Sequence, residues 1–467
     1  MTPRTFCHSV SPVFSRWELL RASANGFGLL ALGGLLAQQA KADDTRKPHF
    51  APKAKRIIFL FMHGGPSQVD TFDHKPLLTK FDGKAFPGTK PRVQFAATGN
   101  LLKSPWAFQP GGKSGLMVSD LFPHVRDRAD DLCVIRSVHA NNSAHGGALL
   151  QLHTGSDTFI RPSMGSWVNY GLGSENRDLP GFVTICPSLS HGGVNNYSSA
   201  FLPAVYQGTP LGNAGVSSEK ASVPFIAGTT PRDQQRREID LLGEMDRERL
   251  AKLGPDPALE GRIESFEMAF RMQSAAPEVQ DLSKETKETK ALYGLDNPAT
   301  ANFGRQCLMA RRFAEAGVRF VQCSHSYKWD QHGDLKKGHA RNALEVDQPI
   351  TGLLTDLKRR GLLKDTLVVW GGEFGRTPTA QGKDGRDHHP HAFTYFLAGG
   401  GVKPGMSYGT TDDYGFYAET DKVHFHDLHA TMLHLLGLDH KKLMYKHAGR
   451  DFRLTDVHGE VVKGILA

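Results

Sequence analysis

Charged and imidazole side chains are concentrated in one glycine-rich stretch that begins DTLVVWGGEFGR. Glu373 and Arg376 follow the segment TLVVW, while Asp387, His388 and His389 precede the segment FTYFL. Both segments consist largely of β-branched and aromatic residues, which predicts two buried strands. Carboxylate and imidazole groups together are typical ligands of a divalent transition ion. We therefore expect this stretch to form the floor of a metal site.

Further ligand-type residues follow other strand-like segments. Asp330 and His332 come shortly after VRFVQC, and alternate residues of an extended chain point to the same side. His63 follows IIFLFM, and Asp70 lies in the same loop region. The mixed ligand chemistry favours one or two ions of zinc or manganese over calcium. The candidate ligands are His63, Asp70, Asp330, His332, Glu373, Asp387, His388 and His389.

Ser143 is the candidate nucleophile. It lies in a polar loop between the strand-like LCVI and a helix-like segment, where a helix N-terminus stabilises negative charge. A serine that only caps the helix is the alternative for this position. Arg376 is the candidate for binding an anionic oxygen of the substrate, and an ion pair with Glu373 is its alternative.

These residues require a sheet whose strands end close together. The alternation of strand-like and helical segments predicts a mostly parallel sheet covered on both faces. Strands are expected at residues 57–62, 132–135, 182–185 and 318–323, and helices over residues 342–360 and the segment HDLHATMLHLLGLD.

Two regions interrupt this alternation. Residues 73–115 are rich in proline, glycine and lysine, which predicts irregular structure. Residues 187–300 begin with turn-like sequence and continue with charged, helix-like sequence. We expect this second region to be an inserted lid or cap, in a domain that spans residues 43–467.

Composition restricts the class of protein. The 467 residues are 39% hydrophobic and 22% charged, as in ordinary globular proteins. The net charge is +8, but residues 1–42 carry +3 of it, and no dense basic segment is interleaved with aromatic residues. We therefore expect no nucleic-acid partner.

The first 42 residues have the features of an export signal. Arg16 and Arg21 precede the apolar GFGLLALGGLLA, which is too short to span a bilayer comfortably, and the tripeptide AKA follows as a cleavage pattern. The segment SRWELLR resembles a twin-arginine signal, although Trp17 occupies the place of the second arginine. An ordinary secretory signal or an uncleaved anchor is the alternative. A periplasmic or cell-surface location is expected, with no stable transmembrane segment in the mature chain.

Cysteine and histidine counts add little. Five cysteines, one of them in the signal, match neither a zinc ribbon nor a dense disulfide scaffold, so one or two disulfides and four buried thiols are both open. With 22 histidines in the chain, some clustering arises without function, so placement after successive strands is the informative feature.

Several longer motifs resemble one known family. MHGGPSQVDTFD, SWVNYGLGSEN, WDQHGD, GGEFGRTP, GRDHHP and FLAGGGVKPG are similar to the exported, sulfatase-like bacterial family catalogued as domain of unknown function 1501. That family is similar to the alkaline phosphatase superfamily. The resemblance implies an alkaline-phosphatase-like three-layer α/β/α sandwich with a mostly parallel central sheet, a helical insertion and a two-metal site.

The resemblance also implies roles for individual residues. His63 occupies the place of the superfamily's metal-binding aspartate after the first strand, so His63 substitutes for it or Asp70 reaches into the site. Ser143 corresponds to the nucleophile. The last metal-binding histidine of the superfamily corresponds to His388 or His389.

Other positions depart from the superfamily pattern. Asp330 and His332 correspond to a paired aspartate and histidine, with a closer spacing than usual. Glu373 and Phe374 correspond to a later aspartate–histidine pair, so the carboxylate is kept and the imidazole is lost. The Cys-x-Pro-Ser-Arg motif of true sulfatases is absent from the sequence, which argues against formylglycine chemistry.

The sequence thus predicts an exported, metal-dependent hydrolase of phosphate or sulfate esters. Its substrate is expected to be an anionic ester from polysaccharide or other extracellular material. A non-catalytic binding or cell-surface protein with the same fold is the alternative, and a calcium-stabilised structural protein is a third hypothesis.

Overall fold

The computed structural model describes residues 47–89, 98–224, 226–228, 230–254 and 256–467. The predicted export signal lies outside the described residues. Within the described ranges, no helix combines the length and apolar character needed to cross a membrane.

Strands and helices alternate along most of the chain. The strands are β1 (Arg56–Met62), β2 (Phe108–Gly111), β3 (Leu116–Ser119), β4 (Leu132–His139), β5 (Phe182–Ile185), β6 (Thr209–Leu211), β7 (Phe320–His325), β8 (Thr366–Gly371), β9 (Gly375–Arg376), β10 (His388–His389), β11 (Phe393–Ala398), β12 (Met406–Tyr408), β13 (Thr410–Thr411), β14 (Ala418–Thr420), β15 (Val423–His424), β16 (Tyr445–His447) and β17 (Arg450–Phe452). The α-helices are α1 (Gln68–Thr71), α2 (Pro76–Lys80), α3 (Pro123–Arg126), α4 (His145–Thr154), α5 (Met164–Leu172), α6 (Arg232–Leu253), α7 (Pro257–Gln280), α8 (Lys287–Leu292), α9 (Ala301–Glu315), α10 (Leu335–Arg359) and α11 (Phe425–Leu435). Short 3₁₀ helices span Ala129–Asp131, Gly193–Tyr197, Ala204–Tyr206, Leu363–Asp365 and Lys463–Ile465.

The central sheet has the strand order β12-β4-β11-β8-β1-β7-β5-β6, with β15 also paired to β4. β1 lies between β7 and β8 and is parallel to both. β11 is antiparallel to both β4 and β8. The remaining pairs are parallel: β4 pairs with β12 and β15, and β5 pairs with β6 and β7. The predicted mostly parallel sheet is confirmed.

The two faces of the sheet carry separate hydrophobic cores. Phe59 of β1 belongs to a core that includes Leu149 of α4. The next residue, Leu60, points to the opposite face, into a core that includes Leu308 of α9 and Leu353 of α10. Each such buried side chain contributes about 2 kcal/mol to folding. Helices on both faces make the three-layer α/β/α arrangement that was expected.

Several predicted boundaries shift in the structure. The strand expected at residues 318–323 is β7, which begins later and extends to His325. The helix expected from residue 342 begins at Leu335. The prediction of irregular structure for residues 73–115 is wrong in part, because α2 and β2 lie there. Pro76 occupies the first turn of α2, where its missing N–H costs nothing.

Residues 187–300 contribute to the central sheet as well as to helices. β6 pairs with β5 at the edge of the sheet. α6 and α7, with 22 and 24 residues, occupy most of the charged part of this region. The lid or cap role of residues 187–300 stays a prediction.

The four described cysteines, Cys133, Cys186, Cys307 and Cys323, are buried and free. Of the two alternatives for these residues, the structure therefore shows buried thiols and no disulfide among them.

Candidate metal centre

The candidate ligands converge at one edge of the central sheet. His63 follows β1, Asp330 follows β7 and Glu373 follows β8, and these three strands are parallel neighbours. His145 is the first residue of α4, which follows the parallel strand β4. His388 lies on β10, immediately before β11, which enters the sheet from this same edge. The carboxyl ends of parallel strands form the usual ligand edge of an open α/β sheet.

A glycine allows the loops after β1 and β7 to touch. Gly64 has a φ of 116°, and a Cβ there would lie 2.7 Å from the main-chain nitrogens of Trp329 and Asp330. Its own N–H donates to the Glu373 carboxylate, with distances of 3.0 and 3.2 Å to the two oxygens. Any larger residue would therefore push apart the loops after β1 and β7, which carry His63 and Asp330.

Asp330, His332 and His388 form a compact triangle of ligand atoms. Asp330 Oδ1 is 3.0 Å from His332 Nε2 and 3.0 Å from His388 Nε2. The two Nε2 atoms are 3.1 Å apart. Ligand atoms of a tetrahedral zinc ion are about 3.3 Å apart when the bonds are about 2.0 Å long. The triangle therefore has the dimensions of a metal site.

Hydrogen bonds at the opposite ring nitrogens fix these two imidazoles. His388 Nδ1 donates to the main-chain oxygen of Ser143 at 2.7 Å, and His332 Nδ1 donates to Gln381 Oε1 at 2.5 Å. The Nε2 atoms of both rings then face Asp330 Oδ1, each at 3.0 Å. Donation from Nδ1 to an oxygen is the usual support of a metal-bound histidine.

Arg376 is fully buried against Asp330. Its Nη2 lies 2.6 Å from Asp330 Oδ1, Nε donates to the Gly65 oxygen at 3.0 Å, and Nη2 also donates to the Gly64 oxygen. The expected alternative, a pair with Glu373, is corrected to a pair with Asp330. Because the guanidinium is enclosed by these acceptors, we assign it to positioning Asp330 and not to substrate contact.

The Asp330 carboxylate is strongly stabilised in its charged form. Burial acts to raise its pKa, but hydrogen bonds from His145, His332 and His388 and the charge of Arg376 lower the pKa far below its usual range. The carboxylate is therefore ionised, as a metal ligand must be.

Sequence reasoning missed His145, the most connected residue of the site. Its Nδ1 is 2.7 Å from Glu373 Oε1 and its Nε2 is 3.4 Å from Asp330 Oδ2. Burial lowers its pKa, but the two carboxylates outweigh burial and raise the pKa to about 9. The available signal was its place two residues after Ser143, at the start of the helix that follows the nucleophile loop.

The Glu373 carboxylate mainly contacts other candidate ligands of the site. Burial acts to raise its pKa, yet His63 and His145 lower the pKa to about 2. Its Oε1 is 3.8 Å from His63 Nε2. The 2.7 Å contact with His145 has the length of a hydrogen bond, so Glu373 orients that ring.

Sequence reasoning also missed His191 and Tyr327, whose rings contact that of His63. His63 is fully buried, which lowers its pKa to about 4, and its ring contacts those of His145, His191 and Tyr327. The Tyr327 hydroxyl donates to Asp330 Oδ2 at 3.2 Å. His191 lies in a glycine- and serine-rich loop that has no periodicity to indicate its direction.

Among the described residues, three overlapping groups of potential ligands result, each with its ligand atoms within 4.8 Å of one another. They are His63 with His145 and His191, His145 with Asp330 and His388, and His332 with Asp387 and His388. Asp387 Oδ1 is 3.8 Å from His332 Nδ1 and accepts the main-chain N–H of His388 at 2.8 Å.

Asp70 and His389 make other contacts, and their role as ligands stays a prediction. Both Asp70 oxygens bind the buried guanidinium of Arg386, at 2.7 and 3.1 Å. His389 Nε2 lies 2.5 Å from the Phe416 oxygen, and burial lowers its pKa to about 3. Neighbouring residues of a strand point to opposite sides, so His388 faces the site and His389 faces away.

Phe374 forms a wall of the site. Its ring stacks on His388 with a centroid distance of 4.4 Å and lies 4.9 Å from the ring of His145. The sequence resemblance implies that the superfamily's imidazole is lost at this place. His145, on a different loop, brings an imidazole to the same neighbourhood.

The chain is similar to several solved structures of hydrolases and related enzymes. The PsFucS1 sulfatase from Pseudoalteromonas sp. has 12% identity and a TM-score of 0.39, with 94% of this chain and 75% of that chain covered. The lipoteichoic acid synthase LtaP from Listeria monocytogenes has 11% identity and a TM-score of 0.37, with 89% and 77% covered. Alkaline phosphatase from the Antarctic bacterium TAB5 has 10% identity and a TM-score of 0.35, with 83% and 99% covered.

No curated protein matches the sequence. Residues 54–466 match the family described as "Protein of unknown function (DUF1501)". This match covers nearly all of the described chain and confirms the resemblance found in the sequence motifs. The chain belongs to the DUF1501 family.

Proposed function

We propose that this protein is an exported, metal-dependent hydrolase of phosphate or sulfate esters. The observation that carries the proposal is the triangle of Asp330, His332 and His388, whose ligand atoms lie 3.0–3.1 Å apart at the ligand edge of the sheet. During hydrolysis of an anionic ester, negative charge develops on oxygen atoms, and nearby positive charge stabilises the transition state. A cation held by this triangle would supply that positive charge.

The donor set fits a divalent transition ion. Carboxylate and imidazole ligands suit zinc or manganese, and Asp330 Oδ1 and the Nε2 atoms of His332 and His388 lie at the spacing of ligands around one ion. When bound, the ion supplies Lewis-acid stabilisation of a phosphoryl or sulfuryl oxygen. Arg376 holds Asp330 in place and offsets part of its negative charge.

Ser143 is the proposed nucleophile. It lies two residues before the N-terminus of α4, a ten-residue helix that begins at His145. Helix N-termini favour negative charge, so this position stabilises a serine oxygen that loses its proton. The hydrogen bond that His388 Nδ1 donates to the main-chain oxygen of Ser143 keeps the loop next to the triangle.

The substrate is proposed to be an anionic ester from polysaccharide or other extracellular material. His332 and Tyr327 provide the open side of the site, because their side chains are about one-third and nearly one-half exposed.

Activity and metal dependence can be tested together. The full chain is stripped with a chelator, reloaded with Zn²⁺ or Mn²⁺, and assayed on aryl phosphate monoesters, diesters and aryl sulfates. We expect saturable hydrolysis of at least one class, lost on chelation and in His388→Ala. His447→Ala, on the exposed β16–β17 hairpin, is the matched control. Metal-loaded protein without hydrolysis across the panel would favour the non-catalytic alternative.

Export is proposed from the leader sequence. Expression of the full chain in a bacterial host, followed by fractionation, should give protein of reduced mass in the periplasm. Blocking the twin-arginine pathway should retain it in the cytoplasm if SRWELLR acts as the signal. Periplasmic delivery that is unaffected by the block would indicate the ordinary secretory route.

A further inference from the structure

We propose that helix α6 is the contact surface between two copies of this chain, whose α6 helices pack antiparallel across a two-fold axis. The contact involves no residue of the candidate metal centre, so it is independent of whether an ester is hydrolysed. The surface, called here the α6 stripe, consists of Glu238, Leu241, Leu242, Met245 and Arg249.

Large apolar side chains are exposed on α6 to an unusual extent. Leu241, Leu242, Met245 and Leu253 are 58%, 44%, 60% and 75% exposed. Among the described residues, they are four of the fourteen large hydrophobic side chains that are exposed, and they lie on one helix of 22 residues. A continuous apolar surface bounded by polar residues is typical of a contact site.

A different side of α6 already packs against α7. The buried residues of α6 are Gly243 and Asp246, and Asp246 Oδ1 accepts from Arg262 of α7 at 2.5 Å. Arg236 donates two further hydrogen bonds to Glu267 of α7, at 2.9 and 2.6 Å. These contacts fix the rotation of α6 and leave the α6 stripe uncovered.

The spacing of the α6 stripe is the same in both chain directions. Glu238, Leu242, Met245 and Arg249 follow one another at intervals of four, three and four residues, so they lie along one side of the helix. An antiparallel second copy therefore places Leu242 opposite Met245 and Glu238 opposite Arg249. A two-fold axis repeats each contact, as in most dimers of identical chains.

Charge selects the antiparallel arrangement. It brings a Glu238 carboxylate to an Arg249 guanidinium at both ends of the apolar centre, whereas parallel packing would pair like charges, which repel. Among the described residues, Arg249 has no carboxylate partner. Glu238 accepts at 3.1 Å from Gln234, whose amide is neutral. Both charges are therefore available to a second copy.

The charge of α6 disfavours a membrane surface as the occupant. Helices that lie on anionic membranes carry an excess of lysine and arginine on their polar face. The net charge of α6 is zero, because six basic and six acidic residues balance. These are Arg232, Arg236, Arg237, Arg247, Arg249 and Lys252, and Asp233, Glu238, Asp240, Glu244, Asp246 and Glu248.

The contact is small, so the dimer should be weak. The α6 stripe is about 16 Å long, because each helical residue adds about 1.5 Å. Stable complexes bury about 800 Å² on each partner, and a single pair of helices of this length buries less. We therefore expect monomer and dimer to exchange at about 10–100 µM protein.

Sedimentation velocity tests the contact, with the purified protein at about 1 to about 300 µM. We expect a shift from monomer to dimer in the wild type and in Glu419→Arg, which makes a matched charge change at an exposed position of β14. Met245→Asp and Glu238→Arg should each weaken association at least about tenfold. Circular dichroism checks that each variant keeps the wild-type helix content.

A pair of charge reversals tests the antiparallel register. Glu238→Arg and Arg249→Glu each place like charges opposite each other, so each variant alone should associate weakly. An equal mixture of the two variants restores opposite charges at both ends of the contact. The mixture should therefore dimerise at the concentrations at which the wild type does.

Several outcomes would overturn the contact. A wild type that stays monomeric over the whole concentration range is one, and a dimer unchanged in both Met245→Asp and Glu238→Arg is another, since it uses a different surface. Binding to vesicles of phosphatidylcholine and phosphatidylserine that is lost in Met245→Asp would assign the α6 stripe to a membrane instead. Recovery of the dimer in the mixture supports the contact even if no ester is hydrolysed.

Discussion

His388 Nδ1 donates a 2.7 Å hydrogen bond to the main-chain oxygen of Ser143. This bond joins the β9–β10 hairpin to the loop between β4 and α4, so a candidate ligand and the proposed nucleophile share one fixed geometry. The contact uses the backbone of Ser143 and not its hydroxyl. Nucleophile and metal binding can therefore be separated by mutation.

Ser143→Ala should remove activity and keep the metal. The substitution deletes the hydroxyl but retains the oxygen that accepts from His388, so zinc per chain is expected to equal that of the wild type. Loss of a nucleophile should lower kcat by about 1,000-fold or more. Ser114→Ala, in the β2–β3 hairpin, is the control. Unchanged kcat in Ser143→Ala would remove the nucleophile assignment.

Asp70→Asn should destabilise the fold and leave metal binding intact. Asp70 and Arg386 are both fully buried, and removal of one partner of such a pair costs about 3–5 kcal/mol. Asp120→Asn, which breaks the exposed pair with Arg126, should cost less than about 1 kcal/mol. Urea unfolding and zinc analysis measure the two effects. A drop in zinc per chain would restore Asp70 as a ligand.

Arg376→Gln should act through Asp330. Without the guanidinium, the Asp330 carboxylate is left without its buried counter-charge, and we expect a loss of about 3 kcal/mol in the free energy of unfolding of the ion-free protein. The double variant with both Arg376→Gln and Asp330→Asn should recover about 2 kcal/mol of that loss. A higher KM with unchanged stability would instead indicate direct contact with substrate.

Stability should fall on acidification because buried histidines are neutral in the folded protein. Burial lowers the pKa of His429 to about 3, while its Nε2 donates to the Leu152 oxygen at 2.7 Å. The unfolded chain binds this proton below its ordinary pKa of 6.5, so the stabilisation is complete above pH 6.5 and is lost as pH falls towards 3. This residue alone contributes a slope of about 1.4 kcal/mol per pH unit in that window.

Urea titrations between pH 4 and 8 in a chelator measure that slope. His429→Gln keeps a donor for the Leu152 oxygen but cannot titrate. The slope of its stability against pH should therefore be smaller than that of the wild type by the contribution of about one proton. His447→Gln, at an exposed position, should retain the wild-type slope. Equal slopes in all three proteins would show that His429 is not neutral in the folded state.

Much of this architecture follows from local sequence. The strand-like IIFLFM and VRFVQC correspond to β1 and β7, and polar residues directly after them, His63 and Asp330, lie in the site. The direction of β11 could not be obtained this way, because apolar character is the same for a parallel and an antiparallel strand. β11 follows a hairpin, and that connection reverses it.

The site itself was only partly predictable. Ligand type and strand-end position predicted Asp330, His332 and His388, which the structure brings together, whereas His145 stands out only by the carboxylates on each side of it in space. Asp70 has the same residue type and a similar loop position, but Arg386, 316 residues later, binds it. Long-range pairing of this kind leaves no signal in a single sequence.

Anomalous diffraction from zinc-loaded crystals would locate an ion bound by His332 and His388. We predict a zinc peak about 2.0–2.1 Å from His332 Nε2 and from His388 Nε2, beside Asp330. Zinc-saturated crystals with no anomalous peak between these two imidazoles would contradict the metal centre on which the account depends.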